Sequence, residues 1–458
     1  MTATALAHTY RYPEPSAVVA GRERSPHVRL ATSGGVAPHP HFLTGNLVQP
    51  QLVASLLLGL ADVVRSRWFV PMTAQRLAAI LDPVVTSGDQ LRFEVFSACC
   101  STYARVDLAD EAIEADRRGH GTTNVDFNDT LRAALSWLRG DDPARLSVGW
   151  EGLELETGAA RVIEKKVKLP VRWLKGFVEV QAHQTRMRPA LDCSGEQARR
   201  FLRELPRGGS RGRPMGVTSD RLGLKVTQRP DRDAVVVAGI ERLRVLEPLA
   251  ARASRLEIAR DELTGSSIWT LFCDIARFHL VLSPEVDRGF SGEGQVLHSL
   301  ASNAGAALVA RVRATLAWQS ALSRESLAQR LGAEVAAIDG ALNRLATAGL
   351  VGFDTSSGHF FRRELPFDLG RVETLHPRLR DARELVAAGA VQLRPGANSA
   401  QLEAEVQGES AVYLVRITPE RARCTCRWYA KHDVTRGPCK HVLAAQIAAG
   451  RDTDGLDA

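Results

Sequence analysis

Three of the seven cysteines of this chain and two of its histidines fall within eighteen residues near its end, in the stretch CTCRWYAKHDVTRGPCKH at positions 424–441. The spacing is Cys424-x-Cys426, twelve residues, then Cys439-x-His441. Three thiolates and one imidazole are donors that a tetrahedral structural zinc ion prefers. Two thiolates on one zinc lie under about 4 Å apart, whereas residues i and i+2 of a strand are about 6.5 Å apart. The chain therefore has to bend sharply at Thr425.

The residues around this cluster predict elements that bring the four side chains together. AQLEAEVQG and AVYLVRITPERARCTC alternate as two strands around the turn GES, with the CxC pair at the end of the second strand. Pro438 begins a predicted helix that ends at Gly450 and carries the CxH pair in its first turn. The predicted ligands of one structural Zn²⁺ are Cys424, Cys426, Cys439 and His441. His432 is an alternative fourth ligand, and a catalytic zinc is disfavoured because four filled positions leave none open.

Basic and aromatic side chains surround the predicted zinc site. Such an arrangement suits phosphate contact and base stacking, and it equally suits a protein partner. The candidate contact residues are Arg427, Trp428, Lys431, Arg436 and Lys440.

The pattern CxC-x12-CxH, preceded by a β-hairpin and followed by a helix, resembles the SWIM-type zinc finger over about residues 398–450. In that family the four matching residues bind zinc. RSRWFVPMTAQRLAAILDPVV and EKKVKLPVRWLKGF are similar to stretches of bacterial SWIM proteins encoded beside MoxR-type AAA+ ATPases and von Willebrand A (vWA) proteins. The resemblance implies a MoxR-type ATPase or a vWA protein as partner.

A second motif precedes the cluster, in LSRESLAQRLGAEVAAIDGALNRLATAGLVGFDTSSGHFFRREL. Ser323 can cap a helix that ends at Gly332, and a second helix runs from Glu334 to Ala348. A hairpin around DTSSG follows. This order resembles a winged helix-turn-helix, whose second helix would read a DNA groove. That helix offers only one cation, Arg344, which disfavours DNA reading.

Composition limits the remaining choices. At 458 residues, 45% hydrophobic and 24% charged, the chain predicts a globular protein of several domains. We predict an α+β multidomain fold: a loop-rich N-terminus (1–46), a helical N-terminal region (47–145), a basic mixed α/β middle domain (146–293), a winged-helix-like domain (294–368), a linker helix (369–397) and a C-terminal ββα SWIM zinc finger (398–450). No segment predicts a membrane span or a secretory signal, and the cysteines lack disulfide-framework spacing, so we expect a cytoplasmic protein.

The positive charge is concentrated in one segment. Residues 161–232 hold 18 Lys and Arg against 7 Asp and Glu, a surplus of 18 − 7 = +11, which suits nucleic acid or an acidic protein. Arginine outnumbers lysine 52 to 7 over the whole chain, so a general preference for arginine is an alternative explanation for the positive charge of this segment. No Gly-Lys phosphate loop or H-E-x-x-H occurs, and GGSRG at 208–212 lacks the strand-to-helix context of a G-x-S-x-G nucleophile turn, which predicts no enzyme activity. The predicted function is a zinc-binding adaptor that mediates protein interactions in a MoxR/vWA-type AAA+ chaperone system. The alternative is a nucleic-acid-binding protein that uses the finger and the winged-helix segment.

Overall fold

A computed structural model of the chain describes residues 17–20, 26–29, 40–66, 83–140, 142–166, 171–207, 213–286, 289–291, 294, 297, 305–316, 321–365, 377–395, 401–408, 410–418, 421–433 and 436–454. These residues form a mixed α/β structure with several sheets. None of the described helices is long and apolar enough to cross a membrane.

The largest part of the structure is built on antiparallel sheets. β1 (Ala17–Ala20) and β2 (Pro26–Arg29) pair as a separate hairpin. A five-stranded sheet contains, in spatial order, β11 (Arg161–Lys165), β10 (Gly152–Thr157), β9 (Ala144–Gly149), β3 (His41–Leu47) and β7 (Ile113–Arg118). A three-stranded sheet contains β14 (Gly223–Thr227), β13 (Pro214–Asp220) and β15 (Val235–Ala238).

An eight-stranded antiparallel sheet forms the centre. In spatial order it contains β12 (Arg188–Ser194), β16 (Arg255–Arg260), β17 (Ser267–Phe272), β18 (Ala276–Leu282), β6 (Thr102–Leu108), β5 (Leu91–Phe96), β4 (Val84–Ser87) and β8 (Gly121–Asn124). The helices of this part are α1 (Pro50–Arg65), α2 (Asp129–Trp137), α3 (Val171–Gln184) and α4 (Gly195–Glu204). Short 3₁₀ segments lie at Asp110–Ala112, Ile240–Leu246, Ala250–Arg252 and Gly289–Ser291.

The two faces of the eight-stranded sheet differ in chemistry. One face is apolar, and α1 and α4 pack on it: Phe201 of α4 stacks on Trp269 with ring centroids 6.1 Å apart. The other face carries a buried row of polar groups, among them Glu94, Arg105 and His279, which stand opposite one another on neighbouring strands. Since buried charges are stable only when they are paired, this face needs a partner of complementary charge.

A second, smaller structural body of the same chain supplies these complementary charges. It consists of α5 (Ala306–Leu316), β19 (Ala321–Leu322), α6 (Arg324–Leu331), α7 (Val335–Thr347), β20 (Val351–Asp354) and β21 (His359–Arg362). The three strands form a sheet of order β19-β21-β20, and the body has an apolar core of its own. The predicted helix ends are confirmed, since the Ser323 side chain accepts a hydrogen bond from Ser326 N at 3.3 Å and Gly332 adopts φ 59°.

The hairpin β20–β21 docks on the polar face of the large sheet. Arg363 donates to Glu94 at 2.6 Å, and Arg105 donates to Asp354 at 3.2 Å. The ring of Phe361 lies beneath two arginine side chains of the sheet. Charge pairs and cation–π contacts therefore make up much of this interface, whereas the two apolar cores are separate.

The C-terminal module combines a small sheet with three helices. The elements are α8 (Pro377–Ala387), β22 (Val391–Pro395), β23 (Leu402–Gln407), β24 (Val412–Ile417), β25 (Ala422–Cys424), α9 (Arg427–His432) and α10 (Lys440–Asp454). The four strands pair antiparallel in chain order. α10 contacts β22, β23 and β24 and packs against α8.

The prediction of a helical region over 47–145 is wrong. Besides α1 and α2, the described residues of this range contain five strands, β4 to β8. Every residue of β4, β5 and β6 is buried, because apolar groups cover one face and the charged network fills the other. A strand buried on both faces lacks the alternation of buried and exposed residues from which strands are recognised in a sequence.

The boundary predicted at 145/146 does not separate two bodies. β3 pairs with β9, and β6 pairs with β18, so both large sheets use strands from either side of it. One core runs through residues 42–282. Composition changes near residue 146, but strand pairing depends on partners more than a hundred residues apart.

Two further predicted segments need correction, the loop-rich N-terminus and the linker helix. β3 begins at His41 inside the region predicted as loop-rich, and β1 and β2 lie there too; the other residues of 1–39 are outside the described ranges. The predicted linker 369–397 does contain a helix, α8, but its β22 belongs to the C-terminal sheet. An edge strand of five residues cannot be told from a linker until its partner strand is known.

Candidate metal centre

The four candidate ligands lie at two junctions between secondary-structure elements, and these junctions are close together in space. β25 ends at Cys424, and Cys426 is the N-cap of α9, where its sulfur accepts a hydrogen bond from Tyr429 N at 3.4 Å. Between them, Thr425 N donates to Leu414 O at 3.1 Å and Thr425 Oγ1 accepts from Leu414 N at 3.0 Å. These two bonds hold the sharp bend that the CxC spacing predicts.

The second pair lies at the start of α10. Cys439 precedes the helix, and its carbonyl accepts the first helical hydrogen bond from Leu443 N at 3.1 Å. His441 is in the first turn. The predicted start at Pro438 is therefore two residues early, and the helix continues past Gly450 to Asp454.

The four side chains form a compact, buried cluster. One ligand atom from each of Cys424, Cys426, Cys439 and His441 lies within 4.8 Å of every other. All four residues are less than a tenth exposed. Nδ1 of His441 lies 3.8 Å from the Cys424 sulfur. Zinc bond lengths give edges of about 3.6 Å in a tetrahedron, so the cluster has the dimensions of a zinc site.

Aromatic and apolar groups enclose the cluster. The Tyr413 ring stacks on His441 with centroids 4.1 Å apart and planes at 22°. Tyr429 donates its hydroxyl to Ala422 O at 2.6 Å, which ties α9 to β25. The cysteines are part of one apolar cluster with the inner face of the small sheet and α10. The surroundings exclude water and restrict the ligand rotamers, as a structural site requires.

The three sulfurs share protons unequally. Hydrogen bonds from Cys424 and Cys439 hold the pKa of the Cys426 thiol well below its usual range. The pKa of Cys424 is raised far above its usual value, first because its proton is held by Cys426 and Cys439 and then by burial. Three thiolates cannot coexist here without a cation, because their mutual repulsion is not screened by solvent. A divalent ion would replace the protons and reduce the charge of the three thiolates from −3 to −1.

The alternative ligand His432 lies elsewhere. Its ring contacts Trp428 with centroids 4.9 Å apart, and it is not part of the cluster. The strand prediction needs one correction. The run AVYLVRITPERARCTC is two strands, because Ile417 of β24 pairs antiparallel with Ala422 of β25, and Cys424 comes from β25, the fourth strand of the sheet.

The candidate contact residues separate into two groups. Arg427 and Lys431 are exposed on α9, one helical turn apart. Arg436 instead pairs with Glu285 at 2.6 Å, and Lys440 lies 3.9 Å from Asp381. Trp428 is half-buried beneath a guanidinium. Three of the five are therefore used in contacts within the chain.

The guanidinium above Trp428 belongs to Arg378, which the sequence did not reveal. Its carbon lies 4.6 Å from the ring centroid, and its Nη1 donates to Arg436 O at 2.8 Å and Pro438 O at 2.7 Å. Arg378 thus fixes the backbone just before Cys439 from α8. Neither motif nor spacing marks it, because it lies about sixty residues upstream in an ordinary amphipathic helix.

A second group of potential ligands, Asp107, His279 and Asp354, is not a metal site by its chemistry. Arg105 donates to both oxygens of Asp107 at 2.7 and 2.8 Å and to Asp354 at 3.2 Å. The guanidinium already supplies the positive charge that these carboxylates need. A divalent ion would have to displace it.

Comparison with other proteins agrees with the C-terminal assignment. A solved structure of proliferating cellular nuclear antigen from Entamoeba histolytica aligns with 54% of this chain and 99% of its own, at 9% identity and a TM-score of 0.37, which is too low to assign a fold. No match is found among curated proteins. Residues 413–450 match the SWIM zinc finger family, and their Cys₃His cluster fits one structural Zn²⁺.

Proposed function

We propose that this chain is a zinc-binding, non-catalytic adaptor that mediates protein interactions. The main support for this proposal is the closed cluster of three thiols and one imidazole, which is buried between the small sheet and α10. The ligands are Cys424, Cys426, Cys439 and His441. With four protein ligands the ion has no open position for substrate or water, so its role is to hold the module together.

The zinc module is joined to the rest of the chain by specific contacts. Arg436, in the loop that leads to Cys439, pairs with Glu285 after β18. Leu443 and Ala444 of α10 pack with Val178 of α3. Zinc binding therefore stabilises both the module and its attachment, as an adaptor with a defined shape requires.

The surface left for a partner is on α9. Arg427 and Lys431 are exposed and form no ion pair within the described part of the chain. The partner that we propose is a MoxR-type AAA+ ATPase or a vWA protein, as the resemblance to bacterial SWIM proteins implies. Two adjacent cations suit an acidic patch on such a protein.

Nucleic-acid binding through the finger and the winged-helix segment is the alternative. The docked hairpin and the largely buried second half of α7 argue against it, since Leu342, Leu345 and Ala346 lie inside the protein. The exposed start of α7 carries Glu334 and no cation. A protein partner is therefore the better supported function.

An affinity capture from the native host tests the proposal. The full chain is used as bait with and without nuclease treatment. We expect an ATPase or vWA protein in both samples, and its loss with the variant Arg427→Glu/Lys431→Glu. Arg416→Glu/Arg394→Glu, which removes two exposed arginines of the small sheet, is the matched control. Capture that vanishes with nuclease would contradict the adaptor function and favour the alternative.

A further inference from the structure

The outer side of α4 carries a group of exposed arginines. Arg199, Arg200 and Arg203 are exposed on this helix, and Arg221 faces them from the turn between β13 and β14. Together they line a cleft of about 460 Å³. Arg200 donates to the Leu222 carbonyl, whereas the other three have no ion pair within the described ranges.

Many exposed arginines elsewhere in the chain pair with carboxylates, for example Arg255 with Glu257 at 2.9 Å. The cleft differs. Two glutamates, Glu196 and Glu204, line it without pairing to these arginines in the described structure, so four guanidinium groups and two carboxylates leave 4 − 2 = +2. Like charges four residues apart, such as Arg199 and Arg203, destabilise a helix by roughly 0.2–0.5 kcal/mol.

The helix under these arginines is firmly held. Ser194 and Gln197 form a capping box at its start. Its inner side buries Leu202 completely and stacks Phe201 on Trp269. The guanidinium groups therefore project from a rigid element, which lowers the entropy cost of binding an anion.

We propose that this cleft binds the phosphate backbone of a nucleic acid. Guanidinium groups contact phosphate oxygens through paired N–H donors. Leu222 is the single apolar side chain among the lining residues, so the cleft lacks the cluster of aromatic and aliphatic anchors that a protein interface needs. With no aromatic lining to stack bases, recognition is of charge and independent of sequence. The inference does not depend on the proposed adaptor function, since none of these residues lies in the zinc module.

Binding of a labelled 30-base-pair duplex of mixed sequence to the full chain tests this inference. Affinity is measured by fluorescence anisotropy over a range of salt concentrations. We expect Arg199→Gln/Arg203→Gln to weaken binding at least tenfold and to lower the salt slope by about 1.8, at about 0.9 per phosphate contact. Both positions are exposed, and circular dichroism verifies that the fold is kept.

The matched control is Arg394→Gln/Arg416→Gln, which removes two exposed cations from the small sheet of the C-terminal module. It should leave duplex affinity within about twofold. Equal losses in both variants would show that net charge alone binds DNA and would overturn the inference. Tighter, arginine-dependent binding of poly-glutamate than of duplex would assign the cleft to an acidic protein instead, and no duplex binding even at low salt would also refute it.

Discussion

Removal of one guanidinium tests how residues 321–365 are held on the eight-stranded sheet. The side chains of Arg363 and Glu94 are 2% and 1% exposed and meet at 2.6 Å. Arg363 also donates to Val351 O at 3.2 Å and lies 4.8 Å from the Phe177 ring centroid. In Arg363→Met, Glu94 keeps one donor, the hydroxyl of Tyr103 at 2.7 Å.

The expected loss is large because a buried carboxylate is left without its cation. Breaking one partner of a buried ion pair costs about 3–5 kcal/mol. The neighbouring Arg362, the last residue of β21, gives a matched control. It pairs with Glu364 at 2.7 Å, but the two side chains are 29% and 53% exposed, so Arg362→Met should cost only about 0–1 kcal/mol.

Urea denaturation followed by circular dichroism measures both losses. The double variant Arg363→Met/Glu94→Met removes both charges and should recover most of the stability, because apolar groups of similar volume replace the pair. Equal destabilisation by Arg363→Met and Arg362→Met would refute the argument. It would mean that the hairpin does not bury this pair in solution.

Three further predictions concern zinc and pH. Purified protein should contain one zinc per chain by metal analysis, and Cys424→Ser/Cys439→Ser should lose it; full retention would exclude the assigned ligands. Chelation should raise hydrogen exchange across residues 401–454 while 321–365 stay protected, since binding energy here is folding energy, and unchanged protection near the C-terminus would count against a structural ion. Burial lowers the pKa of His279 in the folded chain. As the pH falls below about 6.5, this histidine is therefore protonated in the unfolded chain before it is protonated in the folded one, and the free energy of unfolding decreases. Urea denaturation at pH 7 and pH 5 should show a smaller loss for His279→Gln, and an unaltered loss would rule out this histidine as the cause.

Several local features could be predicted from the sequence because neighbouring residues determine them. The four-ligand cluster, the bend at Thr425 and the ends of α6 at Ser323 and Gly332 depend on ligand chemistry, on capping hydrogen bonds and on one left-handed glycine. Each involves groups within about twenty residues of one another. Spacing along the chain is then a sufficient guide to spacing in three dimensions.

The architecture of residues 40–291 could not be predicted in this way. Its sheets join β3 to β9 and β6 to β18 across long separations. The strands at the centre are buried on both sides, so their sequences lack the alternation that identifies a half-exposed strand. Local pattern therefore indicated helices where the protein forms a sheet.

The tertiary structure also decided which charged residues are available. By sequence, Arg436 and Lys440 are equivalent to Arg427 and Lys431, but Glu285 and Asp381 lie beside only the first two. The sequence by itself determined the zinc chemistry, because four donors in a short stretch specify the ion. Which cations stay free for a partner depends on carboxylates that are distant in the chain and near in space, and only folding brings these together.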